Sequence, residues 1–311
     1  MHSAWPCNTR PAVPRWTGRS RWQRTSPTCS PCWRPILSLT IIEPDWPAAA
    51  PNITANHSRT EPDSVAARAR VRALTSTRGG GLSRGPYASL NLANHVGDDP
   101  ALVAGNRDLL QSALELPSAP RWLNQVHGCA VCTAETVSVQ APLPTADAVL
   151  TSRPGIVCGV LTADCLPILL RDVGGTLVAA VHAGWRGLLH GVIEATLAQI
   201  RARRAEQERA TLDLLAWLGP AIGPDAFEVG GEVRSAFVQQ HADAAEHFRP
   251  GRDGRWLADL YGLARAQLAR QGVLRVSGGG YCTLSDSCRF FSYRRDGNTG
   301  RMATLIWIEP I

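Results

Sequence analysis

Four runs between residues 148 and 181, together with Leu214–Leu218, are almost wholly apolar and only four to six residues long. The four are Ala148–Thr151, Ile156–Leu161, Leu166–Leu170 and Thr176–Val181. Such runs are too short for buried helices. They have the length and continuity of strands covered on both faces. Arg121–Val126 and Thr304–Ile308 read as further strands. Between them lie helical patterns. Asp99-Pro100 supplies an N-cap followed by proline at the first helical position. Leu102, Val103, Asn106, Leu109, Leu110 and Ala113 then form one face. A longer helix is predicted from Gly187 to about Arg204. Its buried face is Leu188, Leu189, Val192, Ile193, Leu197 and Ile200, and Arg201–Arg209 is its solvated end. Val233–His241 and Trp256–Gln271 are predicted as amphipathic helices. Strands and helices mixed in this way indicate an α/β or α+β domain.

Charge decides which function classes to set aside. The chain of 311 residues carries a formal net charge of +6, but residues 1–38 hold six arginines and no acidic residue. Beyond them 26 basic residues meet 26 acidic ones, so no basic stripe marks a nucleic-acid binder. No apolar run reaches the length of a membrane span. Every basic residue is arginine, which excludes Schiff-base and P-loop lysine chemistry. The 1–38 segment contains six prolines and four tryptophans without apolar period, and no secretory h-region follows it. It is expected to be a disordered or spurious extension, with the functional domain spanning 39–311. The stretch from Pro47 to Ser64 reads as a surface loop. A cytoplasmic monomer with reduced cysteines is expected. Cys129 and Cys132 have C-x-x-C spacing without a second pair, so they read as strand or turn residues.

The polar residues that close the strands carry the chemistry. Arg121–Val126 runs into His127, the strand from Ile156 into Asp164-Cys165, and the strand from Thr176 into His182. Two imidazoles and a thiolate suit zinc above other ions, and three protein ligands leave a fourth position open. Separations of 38 and 17 residues fit no local metal motif, so two alternatives stand beside it. One is a buried free cysteine with hydrogen-bonded histidines. The other is a Cys165/His182 nucleophile–base pair.

Leu123-Asn124-Gln125-Val126-His127-Gly128, Thr162-Ala163-Asp164-Cys165-Leu166-Pro167, Val181-His182-Ala183-Gly184-Trp185-Arg186-Gly187 and Leu218-Gly219-Pro220-Ala221-Ile222-Gly223-Pro224 resemble the hallmarks of the YfiH, or laccase-domain (polyphenol oxidase), family. Ser76-Thr77-Arg78-Gly79-Gly80, Ser89-Leu90-Asn91-Leu92, Phe227-Glu228-Val229-Gly230 and Phe290-Phe291-Ser292-Tyr293-Arg294-Arg295-Asp296 match as well, in the same order. The departures are the arginine-rich start and a longer loop around 51–69. The resemblance implies one domain of two mixed sheets flanked by helices, in α/β/β/α layers. It implies a purine nucleoside phosphorylase acting on adenosine, inosine and S-methyl-5′-thioadenosine, with adenosine deaminase activity. It further implies zinc on His127, Cys165 and His182. Peptidoglycan editing, attributed to bacterial members, suggests an amide hydrolase as the alternative. A third reading makes zinc a structural clip, which would want a fourth protein ligand.

The laccase label makes its own demand. A four-copper oxidase clusters imidazoles in H-x-H pairs, and the histidines at 57, 95, 127, 182, 190, 241 and 247 contain none. One Cys/His/His site accommodates a single copper as an opportunistic occupant. Phosphate needs donors. Arg78, ahead of Gly79-Gly80-Gly81, is one candidate, and the N-terminus of the helix near Gly187 is another. Asp164 is expected to move a proton or orient an imidazole. Asn91 and His95 are candidates for ribose or base hydrogen bonds, Trp185 for stacking, and Arg294 for substrate binding.

Overall fold

The computed structural model describes residues 39–46, 70–140, 142–206 and 213–310. The 1–38 segment, the loop read at 47–64 and the end of the arginine run at 207–209 fall outside or largely outside them. The described residues belong to one compact unit. In chain order its elements begin β1 (Ile41–Ile42), β2 (Val71–Ser76), α1 (Pro100–Ala113), β3 (Val131–Thr133), β4 (Ala148–Thr151), β5 (Cys158–Thr162), β6 (Leu166–Asp172) and β7 (Val178–Ala183). They continue with α2 (Trp185–Leu189), α3 (Val192–Glu206), β8 (Leu214–Leu218), β9 (Glu228–Val229), α4 (Gly231–Gln240), β10 (Phe248–Pro250) and β11 (Trp256–Ala258). The last are α5 (Leu260–Arg270), β12 (Arg275–Gly278), α6 (Tyr293–Asp296) and β13 (Met302–Ile308). No helix among the described residues is long and apolar enough to cross a membrane.

Two sheets form the centre. One has the order β1-β2-β13-β5 and is antiparallel throughout. The other, β12-β8-β6-β7-β4-β3, is mixed, parallel only at its two edge pairs. A small sheet, β10-β11-β9, stands apart from them.

Side chains alternate across each strand, and here both faces are buried. From the mixed sheet Val149, Leu169, Val178, Ala180 and Trp217 point inward, and Ala73, Val160, Ile306 and Ile308 meet them from the antiparallel sheet. The opposite faces of β6 and β7, with Leu166, Ile168, Leu170, Ala179 and Val181, pack on Ile193, Leu197 and Ile200 of α3 and on Leu263 and Leu268 of α5. The outer face of the antiparallel sheet, Leu74, Leu305 and Trp307, packs on Leu110 of α1 and on Leu90, Leu92 and Trp122. The layers are therefore helix, sheet, sheet, helix. The apolar runs come from this double cover, not from parallel pairing, since β6 and β7 form an antiparallel pair.

Four local readings differ from the structure. Residues 121–126 are extended but form no strand; only Arg121 and Asn124 make isolated bridges. Gln125 takes the place of ladder bonds, its amide donating to Leu161 O at 2.8 Å and accepting from Leu161 N at 2.8 Å. The helix expected from Gly187 starts at Trp185 and breaks at Gly191, whose φ of 81° is left-handed, before α3 resumes. Arg204 is not solvated: it is buried against Asp172. That carboxylate also accepts from Thr176 N at 2.6 Å and Leu177 N at 2.9 Å, holding the β6–β7 turn. Trp256–Ala258 is a strand, paired with Phe248–Pro250 around a turn at residues 251–255, and the helix begins only at Leu260.

Candidate metal centre and its cavity

Register brings the polar strand ends together. In the β6–β7 pair Leu166 faces Ala183, so Cys165, one residue before β6, lies beside Gly184, one residue after β7. In the β4–β7 pair Ala148 faces Val181, so Asp147 lies beside His182. His182 N donates to Asp147 O at 2.7 Å across that join. Residues 163–165 carry the chain from the antiparallel sheet into the mixed one, which places Cys165 at the boundary of the two.

Asp147, fully buried, organises the cluster. Its carboxylate accepts from His127 N at 2.9 Å, Gly128 N at 2.7 Å and His182 Nδ1 at 2.7 Å. A carboxylate can only accept, so Nδ1 of His182 carries a proton and Nε2 is the nitrogen left for Cys165 or a metal. The backbone bonds hold His127 in a left-handed turn, φ 61°. Burial would raise the Asp147 carboxyl, yet the His182 and backbone hydrogen bonds hold it below the usual carboxylate range.

His127 Nε2 lies 3.5 Å from Cys165 Sγ, and one donor atom from each of His127, Cys165 and His182 lies within 4.8 Å of the others. Tetrahedral zinc with ligand bonds of about 2.0–2.3 Å sets its donors roughly 3.5 Å apart. The donor set therefore fits one soft-to-borderline cation. Gly184 makes the approach possible: a Cβ there would stand 2.8 Å from His127 Cδ2 and 2.9 Å from Cys165 Sγ. Burial pushes the Cys165 thiol up, but the His182 charge and the hydrogen bonds from both imidazoles overturn this, pulling it down to about 6. Burial in turn lowers His182, and Cys165 and Asp147 outweigh that and raise it. A thiolate beside two imidazoles is the form that binds metal.

The cluster opens into a cavity of about 420 Å³, within the range of small-molecule sites. Its wall also holds Asp164, His95, Trp185, Phe227, Tyr293 and the arginines 186, 294 and 301. Asp164, at a φ of 89°, accepts from Thr283 Oγ1 and from Arg294 N, both at 2.6 Å. These bonds hold the strained turn that presents Cys165. Asp164 does not touch either imidazole through a hydrogen bond; the partner that orients His182 is Asp147.

Two expected substrate contacts do not reach the cavity wall. Arg78 spends Nε on Ala88 O at 3.0 Å and one terminal nitrogen on Ser287 O at 3.1 Å, and lies 4.7 Å over the Phe291 ring. Gly81 packs against the chain's own backbone, since a Cβ there would stand 2.4 Å from Ser89 O. Gly81 thus serves close packing. Asn91 is fully buried. Its Oδ1 accepts from Ala93 N at 3.1 Å and Arg301 N at 3.0 Å, and its Nδ2 donates to Asp98 at 2.9 Å. The helix behind the expected anion site is short, since α2 spans only Trp185–Leu189.

Asp147 and Arg301 were not foreseen. An acidic residue opening the apolar run at 148, as Asp164 closes another, was the available signal for Asp147.

The sequence matches, over residues 72–309, the model of a family described as multi-copper polyphenol oxidoreductase laccase. It is 49% identical over 269 residues to a purine nucleoside phosphorylase of Pseudomonas aeruginosa, covering 86% of this chain and 98% of that one. It is 51% identical over 240 residues to the purine nucleoside phosphorylase YfiH of Escherichia coli, covering 76% and 94%. Among solved structures it resembles a Neisseria meningitidis protein with TM-score 0.73 and 44% identity, covering 87% and 99%. It also resembles the YfiH protein of Bacillus licheniformis, with TM-score 0.68 and 28% identity, covering 77% and 93%. Among the described residues, one group of three or more His, Cys, Asp or Glu side chains converges for a metal, which is one site and not a multi-copper array. The architecture, the co-linear motifs and the matched span agree: the chain belongs to this laccase-like family of YfiH proteins.

Proposed function

We propose that this chain is a metal-dependent purine nucleoside phosphorylase. The observation that carries the reading is the His127–Cys165–His182 centre opening into a cavity walled by arginines and aromatic rings. It is supported by relatives named for that activity at about half identity. The substrates are adenosine, inosine and S-methyl-5′-thioadenosine. An oxygen of phosphate bonds to C1′ as the bond from C1′ to the purine nitrogen breaks. The base leaves with that electron pair and takes up a proton, and ribose 1-phosphate remains, or its 5-methylthio analogue from S-methyl-5′-thioadenosine. The transition state has oxocarbenium character, so an adjacent oxyanion stabilises it.

His127, Cys165 and His182 would hold zinc, and the same donors accept copper as an occasional occupant. Bound zinc supplies Lewis acidity to an oxygen of substrate or water. The protein side chains do the rest. Tyr293, 61% exposed at the cavity, offers a face to the purine, with Trp185 and Phe227 as further apolar wall. His95 and Arg294 bind the ribose side of the substrate. Asp164, fixed by Thr283, exchanges the proton with the base. Adenosine turned with C6 toward the centre would instead be deaminated, water adding its oxygen at C6 and ammonia leaving. Arg78 takes no part in either; it braces the Ala88 and Ser287 segments behind the wall.

A second reading rests on one observation. His182 lies between Cys165 and Asp147, the order of a thiol nucleophile, its base and the orienting carboxylate. An amide hydrolase would acylate Cys165 Sγ and needs no metal. Metal analysis separates the two, together with chromatography of adenosine incubated with and without phosphate. The phosphorylase should carry close to one zinc per chain and release adenine only with phosphate. Metal-free protein that leaves adenosine intact but becomes acylated on Cys165 would establish the hydrolase.

A further inference from the structure

We infer that Arg301 is the seat of the attacking phosphate, a role that rests on the phosphorolysis reading. Arg301 directly precedes β13, and its backbone N–H is fixed by Asn91 Oδ1 at 3.0 Å. One terminal nitrogen of its guanidinium donates to Thr299 O at 2.7 Å and Gly300 O at 3.0 Å. Its carbon lies 5.8 Å from the Tyr293 ring centre. Among the described residues no carboxylate pairs with it, and no acceptor is engaged by its Nε or its other terminal nitrogen. The guanidinium is thus locked at one corner and uncommitted along an edge, the edge that grips an oxyanion with two parallel bonds.

The other two arginines of the wall differ. Arg186 is exposed and stacked 4.4 Å over Trp185, and Arg294 is exposed and donates to Glu228 O at 2.9 Å. Arg301 is the more sheltered, and burial lowers its pKa while Cys165 and Asp164 raise it. Arg301 lines the same cavity as His127, Cys165 and His182, so the uncommitted charge and the metal centre face one space. A sheltered cation without a carboxylate partner is costly. A phosphate oxygen pair supplies the missing partner, and its double negative charge also offsets the charge of a bound metal.

The test titrates inorganic phosphate in the phosphorolysis of inosine by the full, metal-loaded chain. Arg301→Gln should raise the phosphate KM about 10- to 100-fold, as loss of a bidentate charge-assisted contact does. The inosine KM and the metal content should stay near the wild-type values. Arg301→Lys, which keeps the charge but not the fork, should fall between; it carries the test if the glutamine variant does not fold. Arg78→Gln should leave the phosphate KM within about twofold, since Arg78 does not border the cavity. A folded, metal-loaded Arg301→Lys with an unchanged phosphate KM would overturn the assignment, as would transfer of the loss to Arg186→Gln or Arg78→Gln. Base release by the wild type that ignores phosphate would instead overturn the phosphorylase reading, and this seat with it.

Discussion

The segments around 127, 165 and 182 and the loop from Arg78 to Asp98 hold the same kinds of polar side chain beside glycines, yet they face opposite ways. The first group faces the cavity, because sheet register sets Cys165 and His182 there and the Asp147 carboxylate holds His127 beside them. The loop turns inward. Asn91 bonds to Ala93, Asp98 and Arg301, Asn106 of α1 donates to Ser83 Oγ at 2.8 Å and Asn91 O at 2.8 Å, and only His95 reaches the cavity. Both regions are dense in hydrogen bonds. In one they aim ligands at a point; in the other they brace a loop whose Leu90 and Leu92 are packed into an apolar cluster. The difference can be measured, because the first should fail in metal and turnover and the second in stability.

The largest effect is expected at Cys165. Cys165→Ala should remove the metal from a folded chain and abolish turnover, because alanine offers no charged donor. Full zinc occupancy in that variant would dissolve the contrast at once. Next comes Asp147→Asn. An amide cannot accept all the bonds that the carboxylate takes from His127 N, Gly128 N and His182 Nδ1. Metal affinity should fall about 10- to 100-fold, the usual cost of losing a partner that orients a ligand. Competition with a chelator reads this directly, and an unchanged titration would show that Asp147 only supports the fold. Gly184→Ala should weaken metal binding by a smaller factor, since the new Cβ pushes against His127 and Cys165.

The loop should respond in the other currency. Asn91→Ala leaves the Arg301 and Ala93 N–H groups without their acceptor. Chemical denaturation should show a loss of about 1–3 kcal/mol, with zinc stoichiometry intact. Loss of zinc without loss of stability would place Asn91 with the metal centre. His190, exposed in the break between α2 and α3, sets the lower end. His190→Ala should change stability by no more than about 0.5 kcal/mol and leave the metal in place.

What could be read in advance follows from the same distinction. The central strands were legible because double cover forces unbroken apolar runs such as Leu166–Leu170. Cys165 and His182 stood out because each is a polar residue at the border of such a run, although His182 is still paired within β7. Residues 121–126 misled because Gln125 satisfies Leu161 with its side chain, which no period reveals. The helix from Gly187 was joined to α3 because the apolar period runs through Gly191, whose backbone alone breaks it. Asp147 acts through a cross-strand register and through backbone N–H groups, so no local motif marks it. For Arg78 and Asn91 the residue type was informative and the direction was not: hydrogen-bonding capacity does not say whether a ligand or the chain itself will use it.

The central claim is that the His127–Cys165–His182 cavity splits purine nucleosides with phosphate. Phosphorus NMR of the metal-loaded chain with adenosine and inorganic phosphate tests it in one spectrum series. A ribose 1-phosphate resonance should grow in step with free adenine, and Cys165→Ala should show neither. Adenosine that stays intact, or adenine released without any new phosphate ester, would contradict it.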